Sequence, residues 1–407
     1  MPAAVRACGS GVSDGLPPGW EARISRVPIR SVYVHAPFCP RRCFYCDFAV
    51  TADGTGDPAD WLGSLSRELQ VLEGEGLFTL ASSLDTLFVG GGTPSVLGPG
   101  AMMGLAEVLG PERLDSPELE WTGEANPESF TPELAEAWAR AGVNRVSLGA
   151  QSFQSEALRW MGRLHGPGGP ARAVALAREA GISNLTLDLI FGLPSEVARS
   201  WEEDLEAALA LEVPHLSLYG LSVEPGTPLA RAVEGGVVLN PEEDRYRNEF
   251  LTASKILRQA GYRQYELSNF ALPGYECRHN QAYWDHRPYL GLGNSAHSFL
   301  PPLRRWNLRD WMEYQNSVRE VGRATVGEEI LGAAEVRLER IWLGLRTDDG
   351  IPLEVLSPEA REAAEDWVRR GWAGMEGERV VLTPEGWLIL DQLAVELAEM
   401  EGWGAPP

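Results

Sequence analysis

Residues 31–48 read SVYVHAPFCPRRCFYCDF. A short run rich in β-branched residues (31–38) delivers the chain into three cysteines, Cys39, Cys43 and Cys46, spaced C-x3-C-x2-C. The remaining two of the five cysteines are Cys8 and Cys277. An odd cysteine number in a chain without an apolar leader argues against a disulfide framework, and three thiols crowded on one loop call for a metal. Three thiolates on a tight loop can hold three irons of a [4Fe–4S] cluster and leave the fourth iron open to a ligand. Structural zinc would need a fourth closed ligand, which His35, Cys277 or another chain could supply. Cys8, in a Gly- and Pro-rich arm, reads as incidental.

Outward from this loop the sequence alternates between two periods. Strand-like runs lie at 31–38, 84–92, 118–127, 145–153, 184–194 and 215–225, with helical stretches at 58–74, 99–110, 131–142, 170–181 and 199–211 between them. Thr131-Pro132-Glu133 is a helix start, with threonine as cap and proline in the first turn. Six β-α units in series predict an α/β fold, a partial (β/α)6 barrel with a parallel sheet inside and helices outside. Gly91, Glu124, Gln151, Asp188 and Glu224 fall at the C-terminal ends of the strand-like runs, the edge where parallel α/β folds bind ligands.

The expected organisation is a flexible arm (1–30), the core (31–230), an extension (231–327) and a C-terminal module (328–407) that resembles a winged helix. The extension opens on a helix at 241–260, followed by a strand-like RQYELSNFA (263–271). The tail carries a hairpin pattern at 377–386. Gly291-Leu-Gly293-Asn-Ser-Ala296 mimics a dinucleotide-binding motif, but no clear strand–turn–helix unit surrounds it, and dinucleotide binding is rejected.

Charge narrows the function classes. With 58 acidic and 35 basic residues the net charge is −23, which leaves no nucleic-acid footprint. The tail follows suit, so its winged pattern is read as structural or docking rather than DNA-reading. Lys255 stands outside any phosphate-binding loop motif. No apolar run reaches the ~18 residues of a transmembrane helix and no secretory signal opens the chain, so a cytoplasmic protein is expected.

The cysteine spacing, with Tyr45 before the last cysteine and Gly90-Gly91-Gly92-Thr93-Pro94 ending the second run, resembles the radical S-adenosylmethionine (SAM) superfamily. There the open iron chelates the amino-acid part of SAM, and an electron from the cluster cleaves a carbon–sulfur bond. YVHAPFCPRRCFYCDF, GGGTPS, GEANPES, NRVSLGAQSF, LDLIFGLP and HNQAYW together resemble the oxygen-independent coproporphyrinogen III oxidase-like group over about residues 31–395. That resemblance implies a [4Fe–4S] cluster on Cys39, Cys43 and Cys46. It also implies a SAM site drawn from Tyr33, Tyr45, Gly91, Gly92, Thr93, Glu124, Gln151, Arg163 and Asp188. Arg163 would suit a carboxylate, and Glu124 and Asp188 would suit ribose hydroxyls or an ammonium.

Within the group, the oxidase branch has a further cysteine two residues after the third, where this chain has Phe48. The heme chaperone branch is marked by C-D-F and H-N-x-x-Y-W, matched here by Cys46-Asp47-Phe48 and His279-Asn280-Gln281-Ala282-Tyr283-Trp284. The resemblance implies a protein that binds heme and hands it to apo-hemoproteins, some of them in membranes, served by an electron donor for the cluster. Coproporphyrinogen oxidase activity is not expected. Heme contact is expected at His279, Asn280, Tyr283 and Trp284 within segment 277–299, with Cys277 and His297 as further ligand candidates. The rivals are the oxidase itself and a related radical methyltransferase or cyclopropanase.

Overall fold

Strands β1 (Ser31–Ala36), β2 (Thr86–Gly91), β3 (Glu120–Ala125), β4 (Arg145–Gln151), β5 (Asn184–Phe191) and β6 (His215–Gly220) lie side by side in chain order, all parallel. They are taken from a computed structural model that describes residues 27–52 and 56–401. Cys8 and most of the expected arm lie outside the described residues. The helices Pro58–Glu75, Ala101–Leu109, Pro132–Ala141, Gly169–Glu179 and Trp201–Leu209 connect the strands, each within three residues of its predicted span. Local chemistry sets their ends. The Asp57 carboxylate accepts the Ala59 N–H ahead of Pro58, and Gly76 closes that helix at φ 71°. Thr131 accepts from Leu134 N–H ahead of Pro132, and Gly142 ends that helix at φ 106°.

The barrel wall carries two kinds of side chain. Residues that face the helices are apolar, as with Val32 and Val34, Leu87 and Val89, Val146 and Leu148, and Leu185 and Leu187, all buried. The alternate positions, Tyr33 and His35, Thr122 and Glu124, Arg145 and Ser147, Thr186 and Asp188, are polar. A filled barrel would stack aliphatic residues inward; this one reserves its interior for polar chemistry.

The wall extends beyond six strands at both edges. RQYELSNFA is not one strand but a hairpin, β7 (Arg263–Gln264) and β8 (Asn269–Ala271), with β8 antiparallel to β6. The buried Glu266 carboxylate makes the turn by accepting the Ser268 N–H at 3.1 Å and the Asn269 side-chain amide. On the opposite edge β9 (Leu290–Leu292) pairs parallel with β1, giving the order β7-β8-β6-β5-β4-β3-β2-β1-β9. Three antiparallel strands follow, β10 (His297–Leu300), β11 (Leu303–Asn307) and β12 (Thr325–Ile330), and Tyr289 and Phe299 exchange both backbone hydrogen bonds at 2.9 Å. The Gly291–Ala296 motif is thus a turn between two strands, with no helix behind it, as the rejection of dinucleotide binding required.

The C-terminal residues form helices Ala333–Leu345, Pro358–Arg369 and Leu390–Met400 around β13 (Ile351–Pro352), β14 (Ala373–Glu376) and β15 (Arg379–Leu382). The hairpin falls at 373–382 rather than 377–386, because Gly377 at φ 60° is its turn and Thr383-Pro384 starts a helical turn.

Candidate functional site

The cysteine loop leaves the top of β1 and is closed at its neck by backbone bonds from Cys39 N–H to Thr51 O (3.0 Å) and from Thr51 N–H to Pro37 O (2.8 Å). Cys39, Cys43 and Cys46 are all free thiols and all half-buried. Each sulfur has its own donor. The Thr93 hydroxyl is 3.3 Å from Cys39 Sγ, Arg163 Nη1 is 3.5 Å from Cys43 Sγ, and the Phe48 backbone amide faces Cys46. Burial pushes Cys39 up to about 11 and raises Cys46 as well, so these two thiols stay protonated until a cation draws off the proton. Three soft ligands, each with a hydrogen-bond donor, fit a thiolate-held iron–sulfur cluster.

A closed zinc site fits less well. Among the described residues no three His, Cys, Asp or Glu side chains converge as a single ion requires. Of the fourth ligands considered, Cys277 is fully buried beside Glu120, 3.7 Å from Oε1, and burial pushes its thiol up to about 12. His35 is held by Tyr33 OH at 2.9 Å and Ala49 O at 3.0 Å.

Beyond the cysteines, the strand ends gather the residues expected around SAM. Gly91 has φ 105°, and its N–H donates to Glu124 Oε2 at 3.0 Å. A Cβ at Gly90 would lie 2.7 Å from the Glu124 carboxylate, and one at Gly92 would lie 2.7 Å from the carbonyls of Ala36 and Phe38. The glycines are therefore required by the close approach of β1, β2 and β3. Burial, then the charge of Asp188, pushes Glu124 up to about 7. Burial pushes Asp188 up to about 6 against the Ser147 hydroxyl, 3.0 Å from both its carboxylate oxygens. Two inward carboxyls with raised pKa values suit a ligand that brings hydroxyls or positive charge.

Arg163 is spent differently from the sequence expectation. Its Nη2 donates to Gly149 O at 2.9 Å and to Asn126 Oδ1, and its Nη1 faces Cys43, so the guanidinium ties the cysteine loop to β3 and β4 instead of offering a free fork to a carboxylate. Tyr45 lies half-buried beside it. Sequence reading missed Asn126, whose Nδ2 donates to Thr93 Oγ1 at 3.0 Å and completes the link from Cys39 to Arg163. Its signal was present in GEANPES, immediately after Glu124. Gln151 has φ 62°, a backbone form that marks a constrained position at the end of β4.

The H-N-x-x-Y-W segment forms the short helix Arg278–Trp284 across the barrel floor. Glu120, the first residue of β3, accepts the N–H groups of Arg278 (3.2 Å) and His279 (3.1 Å). His279 is 1% exposed; its Nδ1 is 2.8 Å from the Thr86 hydroxyl and its Nε2 2.8 Å from Tyr283 OH. The ring stacks on Phe88 at 5.3 Å, and burial pushes it down to about 3. His279 is therefore a neutral floor residue with both nitrogens already hydrogen-bonded inside the fold. Trp284 lies under the Arg346 guanidinium, 5.0 Å from the ring centroid, and Asn280 is half-buried on the same turn.

Comparison with known proteins follows the same lines. Residues 33–208 match the model of the radical SAM superfamily. The chain is 37% identical to the heme chaperone HemW of Mycobacterium tuberculosis over 88% of its own length and 92% of the relative. It is 37% identical to the heme chaperone HemW of Escherichia coli over 67% of its length and 70% of that protein. To the mouse mitochondrial radical S-adenosyl methionine domain-containing protein 1 it is 32% identical over 97% and 93% of the two chains. Among solved structures, the coproporphyrinogen III oxidase HemN of E. coli superposes with a TM-score of 0.78 at 20% identity, covering 94% and 93%, a likeness of fold.

Proposed function

This chain belongs to the HemW heme chaperone family of the radical SAM superfamily, and on that footing we propose that it binds heme and passes it to apo-hemoproteins. The observation that carries the reading is 37% identity over 88% of the chain to a protein named for that activity. We propose Cys39, Cys43 and Cys46 as the thiolates of a [4Fe–4S] cluster. Thr93, Arg163 and the Phe48 amide would hydrogen-bond their sulfurs, and Glu124 and Asp188 would receive the polar groups of SAM beside Tyr33, Gly91, Gly92 and Gln151. When bound, the cluster supplies one electron and an open iron for SAM. The chain's own contribution is positional: Asn126 and Arg163 fix the loop, and the glycine turn of β2 brings bare backbone to the cavity.

No helix among the described residues is long and apolar enough to cross a membrane. Together with the free thiols this supports work in a reducing compartment, the cytoplasm, on partners that include an electron donor and recipient apo-hemoproteins. Phe48, 49% exposed, occupies the position where the oxidase branch carries its additional cysteine. Two anaerobic assays test the reading. Heme-loaded protein should transfer its heme to an apo-hemoprotein in excess, seen as growth of the acceptor's Soret band. Coproporphyrinogen III should be recovered unchanged when incubated with cluster-loaded protein, SAM and reductant. Protoporphyrinogen formation without heme transfer would assign the chain to the oxidase branch.

A further inference from the structure

The chain has six histidines, and five are committed inside the fold. His35 and His279 each have both ring nitrogens hydrogen-bonded. His215 is bonded through Nε2 to Tyr265 OH at 2.9 Å, His286 through Nε2 to Glu339 at 2.9 Å, and His165 through Nδ1 to Gly166 O at 3.2 Å. All five are buried. His297 is half-buried and makes no hydrogen bond through either nitrogen among the described residues; its Nδ1 is buried without a partner, leaving Nε2 as the accessible nitrogen. A buried polar atom left unpaired costs ~1–3 kcal/mol; His165, His215 and His286 each carry one such ring nitrogen beside a bonded one, whereas the His297 ring is held by no hydrogen bond at all.

Register shows where the ring points. Tyr33 faces the barrel interior, and Gly291 stands opposite it on β9. Tyr289 is two residues before Gly291 and shares its face; Phe299 is opposite Tyr289, and His297 is two residues before Phe299. Directly opposed residues share a face, so His297 and its partner Trp306 lie on the continuation of the barrel's inner surface. The imidazole and indole centroids are 6.1 Å apart with planes 23° from parallel. Next along the row is Gly327, where a Cβ would lie 2.2 Å from the indole, so Trp306 lies flat on bare backbone. The wall thus presents a nitrogen ligand and a broad aromatic surface side by side, both anchored on strands.

We infer that His297 is the axial ligand by which the chain takes up iron porphyrin, with Trp306 as the wall beside the macrocycle; the inference rests on the heme reading above. An iron ligand is the partner that a neutral, unbonded imidazole lacks. Burial pushes His297 down to about 4, which keeps the lone pair available at neutral pH. The assignment frees the H-N-x-x-Y-W helix to remain as barrel floor.

The experiment is a titration of ferric heme into the full-length protein, followed by the Soret band, for wild type, His297→Ala, His297→Gln and His279→Ala. Binding by wild type, with at least about a tenfold rise in Kd and an altered Soret position in both His297 variants, supports the inference, since even outer-shell changes at metal sites cost ~10–100-fold. Added imidazole should restore the wild-type spectrum in His297→Ala, a rescue that a packing role would not give. His279→Ala, where folded by far-ultraviolet circular dichroism, should keep the wild-type spectrum. Unchanged heme binding in His297→Gln overturns the inference and leaves the heme reading standing. Loss of binding in His297→Ala that imidazole does not restore also overturns it. Failure of wild type to bind heme sinks the heme reading itself, and the inference with it.

Discussion

Cys277 differs from the three loop cysteines in what surrounds its sulfur. It is fully buried beside a carboxylate, whereas Cys39, Cys43 and Cys46 are half-buried and each faces a hydrogen-bond donor. Replacing any one of the three by alanine should strip the iron and sulfide that anaerobic reconstitution delivers, while Cys277→Ala should retain them; colorimetric iron and acid-labile sulfide per chain decide this. Glu124 gives the second residue-scale prediction. Its carboxyl is pushed up to about 7, so the charged form gains ground only as pH rises through neutrality. SAM affinity of cluster-loaded protein should therefore increase from about pH 6 to about pH 8, and Glu124→Gln should abolish that slope. Losing a charged hydrogen-bond acceptor costs ~1.5–3 kcal/mol, about 10- to 150-fold in Kd at the upper pH, measured by anaerobic equilibrium dialysis. A steep slope surviving in Glu124→Gln would move the titrating group elsewhere.

At the scale of elements, the first strands and their helices could be read from sequence because their periodicity is local: alternation inside β1 to β6, a cap and an apolar stripe in each helix. The cysteine loop was equally legible, since its three ligands lie within eight residues. What escaped were the short strands β9 to β12, of three to six residues; β9 in addition pairs with a partner distant in sequence, as Leu290 does with Val32. The role of His279 escaped for the same reason, since the motif shows the histidine but not Thr86, its partner 193 residues away. One such long-range joint carries a pH signature. Glu68, on the helix Pro58–Glu75, is 2% exposed and accepts the Gly293 N–H (3.0 Å), Tyr314 OH (2.7 Å) and Asn307 Nδ2 (2.5 Å). Burial outweighs these three bonds and pushes it up to about 7, from 4.5 unfolded. The folded state thus holds a proton that the unfolded state releases, so this contribution is full below about pH 4.5 and is lost as pH rises to about 7. At 1.36 kcal/mol per unit it is on the order of 3 kcal/mol. Urea-unfolding free energies between pH 5 and 8 should fall more steeply for wild type than for Glu68→Gln; parallel curves would show that Glu68 is not the group.

Across the whole molecule, charge and cooperativity pull apart. The chain is strongly acidic, with a net charge of −23, yet two arginines, Arg263 and Arg346, stand at the contact between the C-terminal module and the barrel. Arg263, the first residue of β7, holds Asp348 through Nη2 at 2.8 Å. Arg346, 5% exposed, covers Trp284 of the floor helix, and its carbonyl accepts the Leu267 N–H at 2.9 Å. Asp348 N–H reaches Tyr265 O at 3.1 Å. These contacts link the tail to the β7–β8 hairpin and the barrel floor, with the buried Arg346 among them. Arg346 also offsets the buried Glu266, whose carboxyl is raised by burial and lowered by the arginine. Arg346→Ala removes a desolvated cation–π contact worth about 2 kcal/mol and the positive charge that lowers the buried Glu266 carboxyl. If tail and barrel unfold as one unit, a calorimetric scan of Arg346→Ala should show a single transition moved down by several degrees. An early separate transition in the variant, with the barrel's transition unmoved, would show instead that the module melts on its own and that the floor holds without it.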